Sequence, residues 1–167
     1  MELWDIYNAF KEPTGRTMVR NDWNMKPGEY HLTVQGIISK PDGTFLITQR
    51  AAAKAWAPLC WEVQGGGVKA GESSKQAVIR ELYEETGIDV SGAEGGLFKT
   101  YRRDNPDEKD NYFMDVYRFV LDFDPSDVKI DETETCSFAL ATREDIIKLA
   151  KEGAFMHFES IRDALGC

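Results

Sequence analysis

Long apolar runs are missing from this chain. No stretch approaches the ~18 consecutive apolar residues of a membrane-spanning helix. The N-terminus, Met1-Glu2-Leu3-Trp4-Asp5, has neither a basic region nor an apolar run, so it does not read as a signal peptide. Cysteine is scarce: Cys60, Cys136 and Cys167 are an odd, widely spaced set with no C-x-x-C pair. That argues against a disulfide framework and suits inert thiols in a reducing cytoplasm. Positive charge is short, with 20 Lys plus Arg against 29 Asp plus Glu and a net charge of −9. A field of that sign repels long nucleic acids and anionic membranes. Internal repeats and low-complexity tracts are absent too.

What remains is 167 residues, 42% apolar and 29% charged. That is an ordinary globular composition, and it is enough chain for one domain with a proper core. The acid is unevenly placed. Residues 104–145 hold 4 basic and 13 acidic residues, a local net of −9, while residues 55–103 sum to only −1. The plain reading of the acidic segment is solvated loops and strand ends.

The element pattern is mixed. Residues 3–8 and 16–20 suit a small hairpin around Glu12-Pro13-Thr14-Gly15, making 1–27 an N-terminal extension of a single domain. Residues 31–39 (HLTVQGIIS) and 44–50 (TFLITQR) read as paired strands about Pro41-Asp42-Gly43, and 51–59 as a loop. A short strand, 61–64, runs into Gly65-Gly66-Gly67. Residues 73–86 are the clearest helix, with Ser73 and Gln76 as a capping box and Gly87 as the end signal. Strands follow at 97–102 and 112–123, separated by a polar loop. A last strand spans 135–141, then helices 142–152 and 155–165. The expectation is α/β (α+β): a mixed sheet flanked by helices.

One helix carries the chemistry. Glu81, Glu84 and Glu85 are three or four residues apart and share one stripe, opposite Val78 and Leu82. Like charges at that spacing repel unless a cation offsets them. Oxygen donors of this kind suit Mg²⁺ or Mn²⁺. A bare E-x-x-E-E is more often a solvated acidic face, so the context matters. The three glycines lead into the helix, Glu72 stands at its entrance, and Arg80 is placed to hold a carboxylate in a bidentate contact.

This stretch resembles the signature of the Nudix hydrolases, G-x5-E-x7-R-E-U-x-E-E-x-G-U, where U is a bulky apolar residue. Gly66, Glu72, Arg80, Glu81, Leu82, Glu84, Glu85, Gly87 and Ile88 meet every fixed position over residues 66–88. The resemblance implies an α/β/α sandwich. It also implies hydrolysis of a diphosphate bond in a nucleoside diphosphate linked to another moiety, X, with divalent metal activating the water. It assigns metal binding to Glu81, Glu84, Glu85 and the Gly65 carbonyl. Glu81 becomes the base candidate, Glu72 its assistant and Arg80 the orienting residue. MutT-like members add a glutamate from a later strand, and here Glu134 is the match with Glu132 its near competitor. A small-molecule diphosphate is the implied partner. A homodimer is compatible with the family, although no interface is assigned.

Residues 30–90 also resemble isopentenyl-diphosphate isomerases and their nearest Nudix relatives, through Tyr30-His31-Leu32, Thr48-Gln49-Arg50, Lys54, Trp56, Pro58 and Trp61. That likeness makes Arg50 and Lys54 diphosphate contacts and sets His31 against a metal-binding histidine. Trp56 and Trp61 are either stacking residues for a base or packing residues; Trp61 is carried as the substrate contact. The isomerase's cysteine and second histidine have no counterpart in Trp61–Gly67, and Gln64 replaces a proline frequent in hydrolases. The expectation is therefore a metal-dependent diphosphate hydrolase. An isomerase-like activity and a non-catalytic nucleotide-binding module are the alternatives.

Overall fold

Alternation along two central strands builds the molecule. The computed structural model describes residues 1–167. Strand β3 (His31–Ser39) sends Leu32, Val34 and Ile38 to one apolar cluster and Ile37 to another. Strand β8 (Tyr112–Val120) divides likewise, with Phe113, Tyr117 and Phe119 on the first side and Tyr112, Met114 and Val116 on the second. A strand buried on both faces places successive side chains in opposite cores. The two strands run parallel, in register from His31↔Tyr112 to Ser39↔Val120.

Around them lie β4 (Phe45–Arg50), β5 (Trp61–Glu62), β6 (Gln64–Gly67), β7 (Glu94–Arg103) and β9 (Thr135–Ala141). The sheet has seven strands in the order β5-β4-β3-β8-β7, with β6 also pairing β3 and β9 also pairing β4. Helix α1 (Ser74–Thr86) covers one face through Ala77, Val78 and Leu82. Helix α2 (Arg143–Lys151) and the short α3 (Phe158–Ile161) cover the other through Ile146 and Ile161. This is the expected α/β/α sandwich on a mixed sheet. No helix is long and apolar enough to cross a membrane.

Helix α1 begins at Ser73 with both halves of the capping box formed and ends at Gly87 in the left-handed region. The Thr142–Asp145 box starts α2 in the same way. A cap of this kind contributes about 1 kcal/mol.

Several boundaries differ from expectation: β7 starts at Glu94 rather than 97, and the expected strand 61–64 divides into β5 and β6, the second taking in the glycines. The hairpin of β1 (Leu3–Tyr7) and β2 (Pro13–Val19) turns at residues 8–12, because the Asn8 side chain accepts from the amides of Phe10 and Glu12. Strand β8 stops at Val120, where its partner β3 ends; the Leu121 amide donates to the Ser39 carbonyl just past the ladder. The expected helix 155–165 shrinks to four residues. Residues 154–156 are drawn instead onto β5, where Trp61 donates to the Ala154 carbonyl and accepts from the Met156 amide.

The hairpin has its own small core of Trp4, Ile6, Met18 and Met25. It joins the sheet where Tyr7 and Tyr30 exchange backbone hydrogen bonds of 2.8 and 2.9 Å.

Candidate active site

Strand β6 lays the glycines beside β3, with Gly65, Gly66 and Gly67 opposite Gln35, Val34 and Thr33. All three positions are tight. A Cβ on Gly65 would run into the backbone carbonyl oxygen of Val34, one on Gly66 would lie 2.5 Å from the Glu81 carboxyl carbon, and one on Gly67 would lie 2.7 Å from Trp4 Nε1. The strand is thus a bare floor on which α1 sets a carboxylate from one side and the hairpin sets an indole from the other.

Arg80 fastens the acidic helix to this floor. Its Nε and Nη2 each donate to Glu72 at 2.8 Å, a bidentate pair across the helix entrance. Nη1 donates to Glu81 Oε1 at 2.6 Å and to Glu84 at 3.3 Å, and Nη2 reaches the Gly67 carbonyl at 3.1 Å. One planar guanidinium therefore fixes three carboxylates and the glycine strand. Burial pushes the Glu72 carboxyl up, but Arg80 and the Lys69 amide more than offset it, so Glu72 lies below its ordinary value.

The other acids have no such compensation. Glu81 is 9% exposed; burial raises its carboxyl, and Arg80 only partly opposes that. Burial likewise raises Glu62, against the pull of Arg50. Half-buried Glu85 is pushed well above the ordinary carboxylate range by burial, then by the charges of Glu81, Glu62 and Glu134; the Gly65 amide pulls the other way. Negative charge from three separate elements converges there.

Several expected residues meet at this place. Gly65 on β6, Glu72 in the loop that follows, and Arg80, Glu81, Glu84 and Glu85 on α1 lie as their spacing implies. Glu134 joins from the turn before β9, paired with Lys54; of Glu132 and Glu134, it is the latter whose charge reaches Glu85. Arg50 is held by Glu62 at 3.3 Å and by the Trp56 carbonyl at 3.1 and 3.2 Å. Arg50 and Lys54 are thus engaged with acids of the cluster.

Trp61 is not brought to the floor. It opens onto a groove beside Ile47, Lys148 and Leu149, against α2. Its neighbour Glu62 points the other way and lines the glycine cavity with Trp56. His31 is buried, stacked on Trp4 at 4.2 Å and hydrogen-bonded through Nε2 to Asp110 at 2.9 Å.

Comparison with known proteins agrees with this geometry. The NUDIX domain model matches residues 29–163. The chain belongs to the Nudix hydrolase family. An uncharacterized Nudix hydrolase of Listeria monocytogenes is 30% identical over 161 residues, which span 95% of this chain and 90% of that protein. The CTP pyrophosphohydrolase of Escherichia coli is 43% identical over 63 residues, 38% of this chain and 46% of that protein. A crystal structure from Deinococcus radiodurans superposes with a TM-score of 0.73 at 21% identity, covering 92% of this chain and 91% of that one; this is a likeness of fold.

The Nudix signature did not reveal every residue near the floor. Glu62 stands outside that signature, although period-two alternation beside Trp61 places it on the opposite face. Arg20, from the end of the hairpin, lines the glycine cavity and is near enough to Glu81 to oppose its upward shift. Nothing in the sequence ties position 20 to position 81; only the hairpin's packing does. Gln35 is 6% exposed, lines the same cavity, and its Oε1 has no hydrogen-bond partner.

Proposed function

We propose that this Nudix hydrolase cleaves the diphosphate bond of a nucleoside diphosphate linked to a second moiety, using Mg²⁺ or Mn²⁺. The observation that carries the reading is the convergence of Glu62, Glu81 and Glu85, all raised by burial, beside the bare glycine strand.

The donors fit a hard divalent cation. They are oxygens, the carboxylates bear like charge, and Glu62, Glu81 and Glu85 are withdrawn from solvent, where a cation relieves both costs; Glu84 and Glu134 stay exposed. In the present arrangement no three His, Cys, Asp or Glu side chains stand close enough to hold an ion. Arg80 takes one oxygen of Glu81, and Lys54 is paired with Glu134. The residues that would hold the cation are Glu81, Glu84, Glu85 and the Gly65 carbonyl, with Glu134 the further candidate and Glu62 beside them. The cation supplies charge neutralisation at the diphosphate and a more acidic bound water.

The chain's own residues do the rest. Arg80 presents Glu81 in one orientation by binding Oε1, which leaves Oε2 free to take the proton of the attacking water. The water oxygen forms a bond to phosphorus as the bridging P–O bond breaks, and the second phosphate leaves with its bonding electrons. Glu72, held below its usual range by Arg80 and the Lys69 amide, remains ionised and keeps the guanidinium in place.

The test is a hydrolysis screen with Mg²⁺ and with Mn²⁺. It covers nucleoside triphosphates, dinucleotides, nucleotide sugars, ADP-ribose and prenyl diphosphates, with products identified. Release of a nucleoside monophosphate is the expected result. No cleavage across the panel overturns the reading in favour of a binding module, and conversion of isopentenyl to dimethylallyl diphosphate overturns it in favour of an isomerase.

A further inference from the structure

Two cavities adjoin the glycine floor. The smaller, about 240 Å³, holds Gly65, Gly66, Gly67, Glu62 and Arg20 on its walls. The larger, about 470 Å³, is lined by Trp23 and by charged groups including Arg103, Glu108 and Asp110. Thr33, Trp56, Met114 and His157 line both, so the two are chambers of one cleft. The larger chamber is within the roughly 300–1,000 Å³ typical of small-molecule sites.

The family match begins at residue 29, so the hairpin lies outside the matched domain. It nevertheless builds one wall of this cleft. Trp4 seats on Gly67 and stacks flat on His31, with rings 4.2 Å apart and 8° from parallel. Trp23 then packs edge-on against both Trp4 and His31, at 6.1 and 6.3 Å. Across the cleft, the loop after β4 presents Trp56, steadied by the Arg50 guanidinium 5.5 Å from its ring centre. Both indoles keep exposed surface, 37% for Trp23 and 61% for Trp56, although each is anchored.

Exposed indoles among charged side chains suit one kind of guest. A hydrocarbon tail gains from the rings but strips water from Arg103, Glu108 and Asp110, which each have one side-chain partner (Tyr112, Asn105 and His31) and hydrogen-bonding capacity left over. A planar heterocycle offers ring faces to the indoles and polar edges to the charges. In the smaller chamber, the unpartnered Gln35 Oε1 is a buried acceptor that lacks a donor, which a sugar hydroxyl supplies.

We propose that the N-terminal segment, with the loop after β4, selects the substrate: Trp23 and Trp56 receive the nucleobase, Gln35 of β3 the sugar, and Arg20, just past β2, the phosphate that enters the glycine chamber. This rests on the diphosphate-hydrolase reading and deepens it by locating the nucleoside.

The test uses the full chain and its Trp23→Ala, Trp56→Ala and Trp56→Phe variants, each checked for an unchanged melting temperature. The readout is the ratio of kcat/KM for a nucleoside diphosphate-linked substrate to that for a simple alkyl diphosphate. Each alanine variant lowers this ratio about tenfold or more, mainly through KM, and Trp56→Phe restores most of it. A ratio that stays within about twofold in both alanine variants overturns the proposal, since base stacking is worth more than that. If no diphosphate is cleaved, the hydrolase reading falls, and equilibrium dialysis with the four nucleoside monophosphates decides the chamber separately. Retention by the native chain that is lost in Trp56→Ala supports the nucleobase site; no retention overturns it.

Discussion

Two acidic regions of this protein use the same functional group in opposite ways. Segment 104–145 carries the whole excess of negative charge. Its aspartates mostly serve local geometry: Asp124 accepts from Ser126, Asp131 from Thr133, and Asp145 from Thr142 at the head of α2. Those hydrogen bonds hold all three carboxyls below their ordinary value. Around the glycine floor there are fewer acids and almost no net charge in sequence terms, yet burial raises Glu62, Glu81 and Glu85. A carboxylate that solvent and local donors satisfy is structural. Carboxylates brought together from several elements, without enough donors, are the ones the proposed function assigns to a cation. Net charge says nothing about which is which.

The strongest way to break this contrast is Glu81→Gln. Turnover should fall by about 10²–10⁴-fold, the range for loss of a general base, while the melting temperature of metal-free protein does not drop. Activity that survives this change would remove Glu81 from the chemistry. Next in size is the response to cations. At a Mg²⁺ or Mn²⁺ concentration 100 times the dissociation constant, ligation stabilises the fold by about 2.7 kcal/mol, read as a rise in melting temperature. The rise should shrink in Glu85→Gln and persist in Asp131→Asn. Indifference of the native protein to both ions would erase the distinction between the regions.

Asp115 sharpens the comparison from inside the acidic segment. It is 2% exposed and bound by Lys11 at 2.6 Å and Thr100 at 2.5 Å, so it is a buried acid whose partner is built in. Lys11→Met should destabilise the chain by about 2–3 kcal/mol in denaturant unfolding, because a buried carboxylate is left without its cation. No change would mean that Asp115 is satisfied without the hairpin. The smallest effect is in acid. The folded carboxyls of Asp124, Asp131 and Asp145 lie below the unfolded value of about 3.9, so their contribution is complete above that pH and is lost as pH falls through the folded values. Asparagine at all three positions should flatten that acid limb; an unaltered limb would show that these hydrogen bonds contribute nothing.

Much of this was legible in the chain. Ser73, Gln76 and Gly87 delimit α1 through local hydrogen bonds and backbone preference, which travel with sequence. The β-branched residues of 31–39 mark a strand, although its burial on both faces follows from the packing of helices on either side. Residues 154–156 were not legible, because their pairing with Trp61 overrides a short helical pattern by a contact nearly a hundred positions away in sequence. Trp61 itself was misplaced for a related reason: an aromatic next to the site in sequence faces away from it in space.

The sequence by itself determined the box: the spacing of Gly66, Glu72, Arg80, Glu81, Glu84 and Glu85 is a property of one loop and one helix, so it needs no distant partner. Only the tertiary structure decided that Glu62 faces the box, that Glu134 reaches it, and that Arg20 and Trp23 wall the cleft. Those side chains come from a short strand, a turn and a hairpin, and their meeting depends on how the sheet and its edges pack. Packing of that kind is a collective result of burying two apolar faces, and no single stretch of the chain encodes it.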